Sequence, residues 1–93
     1  MLDTVSENWH RAAEFTARPA GVVLAAERVS LLTERQKDVM RMLAEGMINK
    51  QIAHRLDISV ATVKTHIAAA VRRMKARNRI HAVAMLIRAE SFA

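Results

Sequence analysis

The residues whose chemistry is most informative are six basic side chains in one segment of the sequence that contains no acidic residue. Surfaces of ordinary helices mix both signs of charge, whereas an unbroken positive run is typical of a surface that binds a polyanion. A solvated helix face without a ligand is the simpler alternative, and charge alone leaves it open. The run lies between Ser59 and Arg79 and consists of Lys64, Arg72, Arg73, Lys75, Arg77 and Arg79.

The remaining reactive side chains form no pattern typical of catalysis or metal binding. The chain has no cysteine, and its four histidines do not have the spacing of metal ligands. His66 lies within this basic segment, next to a predicted buried stripe, and we interpret it as a packing and hydrogen-bonding residue. No Ser–His–Asp arrangement, glycine-rich phosphate loop or carboxylate pair is present in the sequence. We therefore predict a protein that is not an enzyme and holds no metal or other cofactor.

Composition predicts one small all-α domain. The chain has 93 residues, of which 52% are hydrophobic but only 3% aromatic, with two glycines and one proline. The net charge of +6 is uneven, because residues 32–93 carry 12 bases and five acids while residues 1–31 carry three bases and four acids. No segment reads as a signal peptide or a membrane span. The absence of cysteine fits a reducing cytoplasm.

The elements that must position the basic run begin after an N-terminal extension, residues 1–31. The apolar spacing of residues 2–16 predicts one amphipathic helix. Residues 17–21 contain Pro19 and Gly21 and are predicted to break it. Residues 22–31 fit either a short helix or an extended linker, so the extension is expected to be helical at least in part.

Residues 32–93 are predicted to form the main domain. Thr33 and Gln36 have the spacing of a capping box that starts its first helix, and Gly46 is placed to end it in the left-handed conformation. A short second helix is expected from Asn49 to Leu56, followed by a turn at Asp57.

The third helix carries most of the basic run. Ser59 is a suitable N-cap, with its oxygen placed to accept from the N–H of Ala61 or Thr62. A buried stripe along this helix, which runs to about Lys75, is expected from Val63, Ile67, Ala70, Val71 and Met74.

A fourth helix is predicted from a cap at Asn78 to about Ala89. It contains five consecutive apolar residues, 83–87, although a surface helix of so small a domain needs only one apolar stripe. A second apolar face usually meets a partner. That partner is either the folded-back N-terminal segment or a second copy of this helix, and we favour the second copy.

Matches to one known family occur in all four helices, in the right order and at the right spacing. On these motifs, residues 32–90 resemble the LuxR/GerE family of four-helix helix-turn-helix domains, which is also found at the C-terminus of NarL/FixJ-type response regulators. The matching motifs are Leu32-Thr33-Glu34-Arg35-Gln36, Leu43-Ala44-Glu45-Gly46, Asn49-Lys50-Gln51-Ile52-Ala53, Leu56, Ile58-Ser59, Thr62-Val63-Lys64-Thr65-His66, Arg77-Asn78-Arg79 and Ala82-Val83.

The resemblance implies a bacterial transcription regulator that binds an inverted-repeat operator in double-stranded DNA as a homodimer, with RNA polymerase as a further partner. It implies that the third helix reads the major groove and the fourth makes the dimer. Members usually carry a separate control domain, which 31 residues cannot hold. The chain is therefore expected to be either an output domain of a longer regulator or a small stand-alone one.

Specific roles follow for the matching positions. Base contacts are expected from Lys64, Thr65 and Ala68, although a phosphate contact is an equal alternative for Lys64. Thr62 is expected at a phosphate near the helix N-terminus. The residues expected to contact the DNA sugar-phosphate backbone are Asn49, Lys50, Thr62, Arg72, Arg73, Arg77 and Arg79. About half of the four arginines in this set should reach DNA. The expected dimer interface consists of Ala82, Val83, Leu86 and Ile87.

The sequence departs from the family pattern in three places, at position 48, at position 57 and at positions 68 and 69. Ile48 stands where a Ser or Thr cap is usual, so the cap is expected to shift to Asn49. Asp57 stands where Gly is common, and Ala68 and Ala69 replace polar residues, so base readout should use fewer hydrogen bonds. Two other functions remain open, a helical protein-interaction adaptor and a sigma-factor-like module that contacts core polymerase.

Overall fold

The structure is a computed structural model that describes residues 20–91. Five α-helices make up this part of the chain, and it contains no strand. The predicted all-α class is therefore confirmed. The helix predicted for residues 2–16 lies outside the described residues. The helices are α1 (Ala20–Val29), α2 (Glu34–Ala44), α3 (Asn49–Leu56), α4 (Val60–Arg73) and α5 (Arg79–Ser91).

Helix α1 settles the choice left open for residues 22–31, because they are helical rather than extended up to Val29. The described helix includes Ala20 and Gly21, so Gly21 belongs to a helix and not to a break. The predicted break is therefore wrong at Gly21, because a glycine inside a helix costs only about 1 kcal/mol relative to alanine and does not by itself end one. One side of α1 is buried, through Val22, Ala25 and Val29.

Both ends of α2 match the sequence prediction. The N–H of Gln36 donates to Oγ1 of Thr33 at 3.1 Å, and the N–H of Thr33 donates to Oε1 of Gln36 at 3.0 Å. Gly46 has φ of +91°, the left-handed conformation predicted for it. In this conformation the N–H of Met47 reaches back to the carbonyl of Met42 at 3.2 Å.

Helix α3 has the predicted bounds but not the predicted cap. Asn49 is its first helical residue, and Ile48 occupies the N-cap position with no side-chain oxygen to offer. Only half of a capping box forms, in which the N–H of Ile48 donates to Oε1 of Gln51 at 2.9 Å. Asp57 ends the helix at the predicted turn with φ of +55°, in the left-handed region that Asp adopts more readily than most residues.

The core lies between α2, α3 and α4 and continues under α5. Val63, Ile67, Ala70 and Met74 form the buried stripe of α4, while Val71 is only half-buried. The helix ends at Arg73, two residues earlier than predicted, because Met74 is its C-cap and Lys75 adopts φ of +54°. The largest fully buried side chains are Met40, Ile52, Met74, Leu86, Val39 and Val63.

Helix α5 begins at the predicted cap. Oδ1 of Asn78 accepts the N–H of His81 at 2.9 Å, and Nδ1 of His81 accepts the N–H of Arg77 at 3.0 Å. At its other end, Nη2 of Arg41 lies 2.8 Å from Oε2 of Glu90, which links α5 to α2. None of the helices in residues 20–91 has the length and apolar character needed to cross a membrane.

The most extensive helix pair in the described chain is α1 with α5. The N-terminal segment therefore folds back onto the last helix, which was the less favoured of the two interpretations of its second apolar face. The buried residues of α5 are Ala82, Met85, Leu86 and Ala89. One apolar face of α5 is thus covered by the chain itself, and only the apolar residues on its other face are exposed to a partner.

Candidate nucleic-acid interface

Helix α4 has one face in the core and the opposite face in solvent. The exposed residues opposite the buried Val63 include Thr65 and Ala68, and the exposed Lys64 lies at the edge of the same face. These are the three residues predicted to contact bases, and they occupy consecutive turns of one exposed surface. These three side chains are therefore accessible to a large ligand such as a nucleic acid.

The N-terminus of α4 is held by a side-chain cap. Oγ of Ser59 accepts the N–H of Thr62 at 3.0 Å, as predicted, and the hydroxyl oxygens of the two residues are 2.8 Å apart. When Ser59 donates in that second contact, the hydroxyl hydrogen of Thr62 is left for another acceptor. The helix dipole adds a partial positive charge at this end, so an anionic acceptor is favoured.

Residues predicted for backbone contacts meet at the start of α3. Nη2 of Arg79 lies 3.4 Å from Oδ1 of Asn49, which joins the first residue of α5 to the first residue of α3. Lys50 follows directly and is exposed, as is Arg77. The fold thus brings Arg79 next to Asn49, which lies 30 residues earlier in the chain, with Lys50 as the neighbour of Asn49.

The structure separates the neighbouring Arg72 and Arg73. Nη1 of Arg73 donates to the carbonyl of Leu31 at 3.2 Å, on the side of α4 that faces the loop before α2. Arg72 has no such contact and lies in line with Ala68, one helical turn earlier. Of these two residues, Arg72 is therefore placed on the exposed surface that carries the predicted base contacts.

Charges are distributed unevenly over residues 20–91. The ion pairs in this range involve only two bases, Lys37 with Glu34, and Arg41 with Asp38 and Glu90. The hydrogen bond from Arg41 to Glu90 raises the pKa of the Arg41 guanidinium above its ordinary value. Along α4 and the following turn, no basic side chain of the described chain has a carboxylate within 4 Å. These bases can meet phosphates without first giving up an ion pair.

His66 is half-buried on α4, beside the buried stripe. Within residues 20–91, no group of three His, Asp or Glu side chains is placed to hold a metal ion.

An open cleft of about 460 Å³ lies over α3 and is lined by Met47, Lys50, Gln51, His54 and Arg55.

Burial revises the residues expected at the dimer interface. Ala82 is fully buried and Leu86 is 1% exposed, because both face the core of their own chain. Of the four expected residues, only the half-buried Val83 and the 49% exposed Ile87 remain accessible. The sequence analysis did not name two further exposed apolar residues of α5, Ala84 and the 77% exposed Ile80. The spacing of 80, 84 and 87 was a visible signal, since these positions lie opposite 82, 85, 86 and 89 on a helix.

Comparison with known proteins identifies the same part of the chain. The family described as bacterial regulatory proteins, luxR family, matches residues 30–86. The nitrate/nitrite response regulator NarL of Escherichia coli is 43% identical over 54 residues, which are 58% of this chain and 25% of that protein. NarP of Escherichia coli, another nitrate/nitrite response regulator, is 47% identical over 58 residues, 62% of this chain and 27% of that protein.

A longer match is made by DctR of Rhodobacter capsulatus, a C4-dicarboxylate transport transcriptional regulatory protein. It is 42% identical over 77 residues, 83% of this chain and 37% of that protein. The chain thus spans about a quarter of the length of NarL and NarP. No solved structure gives a significant match. Because the family match covers more than half of the chain, the protein belongs to the luxR family of bacterial regulatory proteins, whose helix-turn-helix domains bind DNA in transcription regulation.

Proposed function

We propose that this protein binds specific sites in double-stranded DNA by inserting α4 into the major groove. The observation that carries the proposal is the outer face of α4, which is exposed, free of acidic residues and fixed at its start by the Ser59 cap. A helix of this kind fits a groove about 12 Å wide without charge repulsion. The basic residues on and beside it supply attraction to phosphates.

Each predicted contact has a role that its position allows. Lys64 donates to guanine O6 and N7, and Thr65 and Ala68 contact base edges nearby. Thr62 and the N-terminal N–H groups of α4 bind a phosphate. Asn49, Lys50 and Arg79 meet the backbone together at the start of α3. Arg72 and Arg77 add phosphate contacts, and Arg73 is the weakest candidate because it is already bonded to Leu31.

We further propose a two-fold dimer formed by the exposed apolar stripe of α5, which consists of Ile80, Val83, Ala84 and Ile87. Ile80, Ala84 and Ile87 face away from the chain's own core, and the half-buried Val83 lies at the edge of the stripe. Burying the stripe against its copy removes apolar surface from water. Two recognition helices then enter successive major grooves about 10 base pairs apart on an inverted repeat. As a regulator, the dimer acts on RNA polymerase at the promoter it occupies.

The test is binding of the purified chain to duplexes selected from a random-sequence library. We expect an enriched inverted repeat with affinity that falls about 10³–10⁵-fold between 50 and 200 mM salt if the dimer neutralises roughly 6–10 phosphates. A protein-interaction adaptor with a merely solvated basic face would enrich no sequence and would shift no duplex at 50 mM salt.

A further inference from the structure

The outer line of α4 presents methyl groups rather than hydrogen-bonding side chains. Ala61, Thr65 and Ala68 are all exposed, and at about 100° per residue they lie on one line opposite the buried Val63. Arg72 continues this line at the C-terminal end of the helix. The two central turns of the proposed recognition surface are therefore almost without polar groups of their own.

The hydroxyl group of Thr65 is already used within the helix. Its Oγ1 donates to the carbonyl of Ala61 at 3.0 Å, so its hydrogen is not available to a base. What Thr65 offers outward is its γ-methyl and a remaining lone pair. Lys64, at the edge of this line, is then the only side chain of the central turns that can donate a hydrogen bond to a base edge.

Methyl groups have one apolar counterpart in the major groove, the C5-methyl of thymine. An alanine placed against a polar base edge would take hydrogen bonds away from water without replacing them. Resting on the proposed function, we propose that each half-site places thymine methyls against Ala68 and the γ-methyl of Thr65. A·T pairs at these positions are then selected through the methyl group and not through hydrogen bonds.

The direct test replaces thymine by deoxyuracil, one position at a time, in the selected duplex. Deoxyuracil keeps the pairing and the O4 acceptor and lacks only the methyl group. We expect affinity to fall about threefold to tenfold at one or two positions of each half-site, as the loss of a buried methyl predicts. Equal affinity for thymine and deoxyuracil at every position, or a selected half-site without a fixed A·T pair, would overturn the inference.

Two matched variants assign the effect to a side chain. Ala68→Gly removes the proposed methyl contact, and Ala69→Gly carries a similar helix cost on the neighbouring, half-buried flank. We expect the preference for thymine over deoxyuracil to disappear at one position in the first variant and to persist in the second. A preference that survives in both variants would contradict the role of Ala68.

These outcomes separate the inference from the proposed function. Specific binding that is unaffected by deoxyuracil leaves the function standing and removes the methyl readout. Absence of duplex binding by the wild-type chain at 50 mM salt removes both. The wild-type comparison of the two bases needs no variant, so it remains decisive even where a glycine substitution unfolds the domain.

Discussion

The basic side chains of residues 20–91 differ in whether a carboxylate already holds them. Lys37 and Arg41 are held by carboxylates on the side formed by α2 and α5. Lys64 and Arg72 are exposed on α4 with no carboxylate within 4 Å among the described residues. Unlike Lys37 and Arg41, these two residues can bind phosphates or bases without breaking an ion pair, so the effects of substitution should differ sharply between the two pairs.

We predict that Lys64→Ala weakens binding to the selected operator more than binding to unrelated duplexes. A bidentate contact to guanine contributes about 1–3 kcal/mol of discrimination, whereas a phosphate contact contributes equally to all sequences. Fluorescence anisotropy with both duplexes at the same salt concentration measures the two losses.

Lys37→Ala is the matched control for Lys64→Ala, because it removes the same charge from α2, where Lys37 pairs with Glu34 at 3.4 Å. It should leave specific and non-specific affinity nearly unchanged. Equal losses on both duplexes for Lys64→Ala would assign that residue to phosphate and remove it from base readout.

At the scale of the element, α4 depends on its cap for both stability and position. Ser59→Ala removes the acceptor for the N–H of Thr62 and leaves the Thr62 hydroxyl without its partner. We predict a loss of about 1 kcal/mol in the free energy of unfolding, measured by urea denaturation followed by circular dichroism. Ser59→Asp, which restores a capping oxygen, should recover the stability but repel a phosphate at the same place.

The two faces of α5 give a second prediction at this scale. From the sequence alone, glutamate at position 86 and at position 87 should act alike and produce monomers. Because Leu86 is 1% exposed and Ile87 is 49% exposed, the structure separates them. Leu86→Glu should destabilise the fold by about 4 kcal/mol or more, since it buries an unpaired charge.

Ile87→Glu should instead give a folded monomer that binds one half-site weakly. Sedimentation velocity reports the change in mass, and circular dichroism reports retention of the fold. A variant that remains dimeric at the same protein concentration as the wild type would exclude the proposed α5 interface.

At the scale of the whole molecule, α1 belongs to the same packed unit as the helices that follow it. Its buried side contributes Ala25 and Val29 to the common core, although the family match begins only at residue 30. The match to DctR is 77 residues long. In a chain of 93 residues a match of that length must include residues 17–77, so it extends over α1. We therefore propose that α1 and the helix-turn-helix unfold together.

Ala25→Asp tests this proposal, because Ala25 is 2% exposed and an aspartate there must be buried. We predict a loss of about 3 kcal/mol from a single cooperative transition that includes α4. Leu24→Asp, at a residue 45% exposed on the other side of α1, is the matched control and should change the free energy of unfolding little. An unchanged transition in Ala25→Asp would show that α1 docks loosely.

The sequence by itself determined the features that depend on neighbours along the chain. The Thr33–Gln36 capping box, the left-handed Gly46 and the Ser59 cap were all predicted, because each is a hydrogen bond or a backbone angle set within a few residues. The exposed face of α4 also followed, since its apolar period leaves only one face to bury. The motifs of residues 32–90 likewise predicted the family that the comparisons confirm.

Only the tertiary structure decided what depends on which helices meet. Helix α5 is apolar on nearly every side, so its pattern did not show that Leu86 faces the core and Ile87 the solvent. Neighbouring arginines on α4 were indistinguishable until the carbonyl of Leu31 proved to be within reach of Arg73. The spacing of apolar residues identifies the buried face of a helix only when the opposite face is polar, which is not the case for α5. The contact between Arg73 and Leu31 joins residues 42 positions apart in the chain, so it is set by the packing of the helices.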